Sequence, residues 1–220
     1  MSPLDEFLSG EAHSLELVNK LSRGNGMLAK VKQYVPHADL KNIYHAIFAS
    51  HLMYGAQVWT PKLLSVSEKI SRLQKNAMRI MTFSEFKAHS EPLYKKLEIL
   101  KFQDSISLTN CSFVYDYLQG NLPQSFVDTF SRIADSHNKN TRQANIGMLY
   151  APRYNTTTFG LKTVYNKCIK SWNELTLNIN IKEKKKCVNK LNTPDIDLLK
   201  MSKTKMKETI TSHILSTYES

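Results

Sequence analysis

Glycine and proline are scarce, with seven of each in 220 residues. A chain so poor in turn formers is not a turn-rich β-sandwich, a collagen-like repeat or a low-complexity segment. There are three cysteines, Cys111, Cys168 and Cys187, and no Cys-x-x-Cys spacing. Neither a disulfide framework nor a closely paired zinc set is implied, and the thiols are expected to be buried or bystander groups in a reducing compartment. No apolar run approaches the ~18 residues of a spanning helix, so no membrane is expected as a partner. Positive charge is missing from residues 1–10, where Asp5 and Glu6 stand in place of the Lys or Arg of a signal peptide. The expectation is a soluble intracellular protein, in the nucleus or the cytoplasm.

The catalytic signatures are thin as well. The chain has no His-Glu-x-x-His, no Gly-x-Ser-x-Gly and no phosphate loop ending in Gly-Lys-Ser/Thr. Gly24-x-Gly26-x-x-Ala29 fits a dinucleotide-binding pattern, but that mechanism needs a strand before the first glycine, and the residues before Gly24 have helical spacing. Pro194-Asp195-x-Asp197-x-x-Lys200 has the residue types of a metal-dependent nuclease without the spacing, and reads as a polar loop. No two of the eight aspartates are adjacent. Nucleotidyl transfer by two Mg²⁺ ions ~3.5–4 Å apart needs several converging carboxylates, and a paired-aspartate turn is not encoded. No catalytic residue, metal site or cofactor is therefore assigned.

What is present is positive charge, unevenly placed. Residues 1–135 carry 15 Lys+Arg against 13 Asp+Glu, whereas 136–190 carry 11 against 2. A polyanionic partner follows, with nucleic acid ahead of an anionic surface.

The periodicity is helical. Leu15, Val18, Leu21, Leu28 and Val31 keep helical spacing over about 11–35, and Pro36 ends the run. Leu40, Ile43, Tyr44, Ile47, Phe48, Leu52 and Tyr54 predict a second helix over 38–59, closed by Pro61. Leu63, Val66, Ile70, Leu73, Ala77 and Ile80 alternate steps of three and four, the stripe of a third. On that helix Lys69, Arg72, Lys75 and Arg79 form a second row, which can follow a phosphate backbone or be a solvated face. Three such helices bury their stripes only against one another. Ser90 is an expected N-cap before Glu91-Pro92 and a short helix to Leu97. A longer helix then uses Phe102, Ile106, Phe113, Val114, Tyr117 and Leu118 and stops at Gly120. Another short helix is expected over 124–133.

From residue 136 the texture is polar and basic and reads as a loop, with extended pieces expected around Pro152 and helix again over 161–175. His137, Lys139, Arg142, Arg153 and Tyr154 combine cations with an aromatic ring, suited to phosphate contact plus base stacking. Lys182, Lys184, Lys185 and Lys186 form a cluster that fits backbone binding, a nuclear import signal or a frayed solvated helix. A terminal helix from about residue 201 has Met206, Ile210 and Ile214 on one side. Trp59 and Trp172 fall in apolar rows and are assigned to packing.

Several short motifs together resemble non-LTR retrotransposon reverse transcriptases, in the region just after the palm. They are Asn19-Lys-Leu-Ser-Arg-Gly-Asn-Gly-Met-Leu-Ala-Lys30; Tyr44 with Ser50-His-Leu-x-Tyr-Gly-x-x-Val-Trp59; Leu73-Gln-Lys-x-Ala-x-Arg-Ile80; His89-x-x-Pro-Leu-Tyr94; Asn140-Thr-Arg142; and Ser171-Trp-Asn-x-Leu175. Their order and spacing are similar over about 16–215. The resemblance implies that the three-helix bundle is a thumb lying against a template–primer duplex, and that the Asn-Thr-Arg loop and Ser-Trp-Asn helix belong to a C-terminal extension. It also implies that the fingers and palm, with their paired-aspartate turn, lie upstream of Met1; neither they nor a terminal Cys/His knuckle is in this sequence.

The expectation is a mostly α protein with a thumb-like bundle (11–82), a helical connector (90–134) and a basic C-terminal module with minor β structure (136–217). Functionally it is expected to be a truncated retroelement polymerase fragment, inactive alone, that binds RNA or an RNA–DNA hybrid through phosphates and partners a separate palm-and-fingers chain. The alternative is a helical protein-interaction module or a non-functional retroelement remnant.

Overall fold

The computed structural model describes residues 11–59, 64–126, 128–136, 141–156, 163–186 and 196–218. The chain is mostly α-helical. Among the described residues the β pairing is one isolated antiparallel bridge, Arg132 to Leu149; of the extended pieces expected around Pro152, residues 157–159 lie outside the described residues. No helix among the described residues is long and apolar enough to cross a membrane.

The chain divides into two compact units, Met1–Ile106 with Ile214–Ser220, and Ser107–His213. This division differs from the three expected modules. Its first boundary falls inside a helix, Phe102–Leu118, which holds neither glycine nor proline and so continues without a break.

In the first unit α1 (Glu11–Val31) packs along α5 (Leu64–Thr82), and the segment between them closes the bundle. That segment is not the single helix the periodicity predicts. It comprises α2 (His37–Tyr44), a π-helical turn (His45–Ala49), α3 (Ser50–Met53) and α4 (Ala56–Trp59). The break after α3 has a local cause: Tyr54 is extended and Gly55 sits at φ +60°, a left-handed conformation that glycine adopts without a Cβ clash. Leu40, Tyr44, Phe48 and Leu52 are buried as the spacing predicts, but Tyr54, past the break, is exposed.

On α5 the buried stripe is rotated from the expected one. Val66, Ile70, Ala77, Met78 and Met81 are buried, and so is Gln74. Leu73 and Ile80 are only half-buried. The polar Gln74 enters the core because every group of its amide is used. Its Nε2 donates to the Tyr44 hydroxyl (3.1 Å) and the Leu100 carbonyl (3.0 Å), and its Oε1 accepts from the Phe102 N–H (2.8 Å). Next come α6 (Glu91–Leu97) and the first residues of α7 (Phe102–Leu118). Ser90 occupies the N-cap position of α6 but makes no side-chain capping bond.

The second unit is built on the rest of α7, then α8 (Ile133–Ser136), α9 (Arg142–Asn145), α10 (Val164–Lys186) and most of α11 (Lys203–Leu215). After Pro123 the described residues form a 3₁₀ turn, Gln124–Phe126, and then α8 from Ile133, in place of the expected ten-residue helix over 124–133, of which residue 127 lies outside the described set. Residues 141–145, expected as loop, begin one helical turn that Thr141 caps, its Oγ1 accepting from the Ala144 N–H at 3.3 Å. α10 runs beyond the predicted 175 and through the lysine cluster, because nothing between 164 and 186 interrupts it. Met206, Ile210 and Ile214 are buried as the terminal helix requires.

Candidate nucleic-acid interface

The cation row of α5 points away from the buried stripe. Lys69, Arg72 and Lys75 are exposed, three residues apart, and span about 9 Å of helix axis at 1.5 Å per residue. Arg72 reaches back one turn to Glu68 (Nη2–Oε2 3.6 Å), with side chains 77% and 65% exposed. Such a pair is worth between nothing and about 1 kcal/mol, so it does not hold the guanidinium against a competing phosphate.

Arg79, expected in the same row, has a different job. Its Nε donates to the Ala88 carbonyl at 3.0 Å and its guanidinium lies 6.0 Å from the Phe86 ring centroid. The segment 83–89 folds back over the end of α5 and draws Arg79 out of the row, leaving three solvent-facing cations of the four.

Beside Lys75 lies a cleft of about 430 Å³ lined by Gln74, Tyr94, Lys101, Asp104 and Tyr218, among others. Its charges are largely satisfied within the chain. Lys101 is paired with Glu91 and sits 4.3 Å over the Tyr218 ring, while the Tyr218 hydroxyl donates to Asp104 (2.6 Å) and accepts from the Lys101 N–H (2.9 Å). Burial raises the Tyr44, Tyr94 and Tyr218 phenols above their ordinary range, Tyr44 to about 12.

The other expected contacts belong to the second unit. Arg153 and Tyr154 are exposed on irregular chain after the bridge at Leu149. His137 and Lys139 lie outside the described residues, as does the side chain of Arg142, whose backbone opens α9. Lys182 is half-buried on α10; the backbone of Lys184, Lys185 and Lys186 forms the end of that helix, and their side chains lie outside the described set. The Trp59 side chain also lies outside it.

Several motif residues that carry the sequence resemblance hold the fold together. Asn25, inside α1, donates from Nδ2 to the Leu73 carbonyl at 2.9 Å, so Gly24-Asn-Gly26 is a helix–helix contact and not a phosphate loop. In Ser-Trp-Asn, Ser171 accepts from Asn110 of α7 (3.2 Å), and the buried Trp172 donates from its indole to the Gly147 carbonyl (2.9 Å). Asn173 pairs with both backbone groups of Leu149, accepting from its N–H and donating to its carbonyl at 2.8 Å each. Two turns further on, Asn180 does the same to Ile196, at 2.7 and 3.0 Å. Asp197 of the nuclease-like run caps a 3₁₀ turn through the Leu199 N–H (3.0 Å). Among the described residues no three His, Cys, Asp or Glu side chains group to hold a metal ion. Cys111 and Cys168 are free thiols, buried and pushed up from their ordinary value, Cys168 to about 12.

A pairing of cations with exposed rings was missed from the sequence. Lys32 lies 5.1 Å over the Phe83 ring, and His37 meets that ring edge-on at 4.8 Å. The available signal was that Phe83 and Phe86 stand outside every apolar stripe. No family model, no curated protein and no solved structure matches this chain.

Proposed function

We propose that the chain binds RNA or an RNA–DNA hybrid non-specifically through backbone phosphates, as the thumb of a non-LTR retrotransposon reverse transcriptase would, with nucleotidyl transfer left to a separate palm-and-fingers chain. The observation that carries this reading is the row Lys69, Arg72 and Lys75, set on the face of α5 opposite its buried stripe, with a single exposed acid among its partners. Cations at every third helical position reach successive phosphates and carry no base readout. The concentration of Lys and Arg in 136–190 supports a polyanionic partner independently.

The test is a titration of the full chain against a labelled blunt RNA–DNA hybrid between 50 and 200 mM salt. Three displaced counterions give a slope of log affinity on log salt of about −3; a flat response defeats the reading. With Mg²⁺ and nucleotides added, no primer extension is expected, and robust extension would place the chemistry on this chain. A second reading, a helical protein-interaction module, is favoured by Tyr54 and Val58, both 74% exposed. It predicts self-association with no salt-sensitive binding.

A further inference from the structure

Phe83 follows the last residue of α5 at φ +55°, in the left-handed region. The turn there closes as a helix C-cap: the Ser84 N–H bonds the Arg79 carbonyl at 3.1 Å and the Phe83 N–H bonds the Ile80 carbonyl at 3.4 Å. Glycine is the usual occupant of such a position, and a bulky aromatic adopts it only under strain. Burial does not offset that strain, because Phe83 is 49% exposed.

Its surroundings repeat one arrangement. Lys32 covers the Phe83 ring, Arg79 stands over Phe86, and Phe86 is itself 81% exposed. Tyr34, in the turn between Lys32 and His37, is 83% exposed. Lys30 and Lys87 are exposed on the same two segments; the acids there are Asp39 and Glu85. The core of a protein–protein interface is apolar and depleted of charge. Here a cation accompanies each phenylalanine ring at 5–6 Å, the alternation of stacking platform and phosphate contact that single-stranded nucleic acid uses.

We propose that Phe83 and Phe86, with Lys32 and Arg79, form a platform on which unpaired bases of a single strand stack. This rests on the phosphate-binding reading and names the strand that the ends of α1 and α5 would take, as distinct from the duplex along α5. A paired base is already stacked in its helix, so the platform discriminates in favour of unpaired nucleotides.

The experiment compares a labelled twelve-nucleotide oligouridylate with a blunt twelve-base-pair RNA–DNA hybrid, using full-length variants. Phe86→Ala is expected to weaken oligouridylate binding at least about fivefold, the loss of one stacked base, and to leave hybrid binding within twofold. Phe83→Gly is expected to raise the thermal midpoint, since glycine relieves the positive φ, while weakening oligouridylate binding by a similar factor; a purely structural phenylalanine would not separate the two. Phe86→Trp is expected to keep the affinity and to show indole fluorescence quenched by the oligouridylate and not by the hybrid. Unchanged single-strand affinity in Phe86→Ala and Phe83→Gly, or an unquenched Phe86→Trp, overturns the platform while salt-sensitive hybrid binding leaves the phosphate reading standing. Failure of the wild-type chain to bind either probe overturns both.

Discussion

What holds each compact unit together internally differs between the two. In the first, apolar faces of α1, α5 and the segment between them interlock, and one buried glutamine joins α5 to Tyr44 and to the turn at Leu100–Phe102. In the second, α10 acts as a spine to which irregular chain is fastened by side-chain bonds to backbone: Trp172 to Gly147, Asn173 to Leu149 and Asn180 to Ile196. Tyr115 of α7 and Gln119, just past its end, add bonds to the carbonyls of Met201 (2.7 Å) and Leu199 (2.8 Å). Hydrophobic periodicity specifies the first kind of architecture. The second depends on single amides, hydroxyls and an indole, each aimed at the backbone of one residue far away in sequence.

The largest effect that sharpens this contrast is expected from Trp172→Ala. It removes a buried indole and leaves the Gly147 carbonyl without its donor, at a cost of about 3–5 kcal/mol. Urea unfolding followed by circular dichroism measures it, and a loss below 1 kcal/mol would mean that α10 is not the spine.

Next come the amides. Asn173→Ala and Gln74→Ala each strand buried backbone groups, with an expected loss of about 2–3 kcal/mol apiece. Asn173→Leu should be no better, because an apolar side chain cannot serve Leu149; Gln74→Met should recover part of its packing but none of its bonds. A Gln74 variant as stable as the wild type would show that its position in the core is incidental. Gly147→Ala belongs in this group. Its φ is +73° and an added Cβ would stand 3.4 Å from Leu199 Cδ1, so about 1–2 kcal/mol of strain is expected.

A smaller, pH-dependent effect distinguishes the units by their thiols. Raised phenols occur in both units, Tyr44, Tyr94 and Tyr218 in the first and Tyr165 in the second, whereas the raised thiols of Cys111 and Cys168 are in the second. A folded-state pKa above the unfolded value means that the folded chain holds its proton more tightly. Stability is then complete below the unfolded pKa and falls as pH rises through the folded one. Thiols ionise in the unfolded chain near 8.5 and phenols near 10, so the urea midpoint should begin to fall above about pH 8.5 and fall more steeply above about pH 10. Substituting Cys111 and Cys168 with alanine should remove the earlier phase; a midpoint that rises with pH would contradict the assignment.

The smallest stability effects are expected on α5. Lys69→Ala and Lys75→Ala should lie within about 0.5 kcal/mol of wild type, as solvent-facing substitutions do. Arg79→Ala should cost about 1 kcal/mol through its bond to Ala88. Equal costs at Lys75 and Arg79 would remove the distinction between row and anchor.

These differences also explain what was legible beforehand. The helical class and the burial of Leu40, Phe48, Ile70, Met206 and Ile210 follow from spacing alone. Spacing gave no warning of Gln74, whose partners are 26 to 30 residues away, and it placed Tyr54 inside because a periodic pattern does not show where a glycine breaks the helix. Lys69, Arg72 and Lys75 were legible as a row. Arg79 was not separable from them, since only the folded segment 83–89 brings Ala88 to its guanidinium. Ser-Trp-Asn was legible as a motif and not as a clamp, because its acceptors at Gly147 and Leu149 become visible only once the chain is folded.

The most direct test of the central claim is the charge reversal Lys69→Glu with Lys75→Glu, judged by the salt slope for the blunt hybrid. The expected slope is shallower by about two than that of the wild type, at unchanged urea midpoint. A double variant that binds the hybrid with the wild-type slope would contradict the assignment of α5 as the phosphate-contacting face.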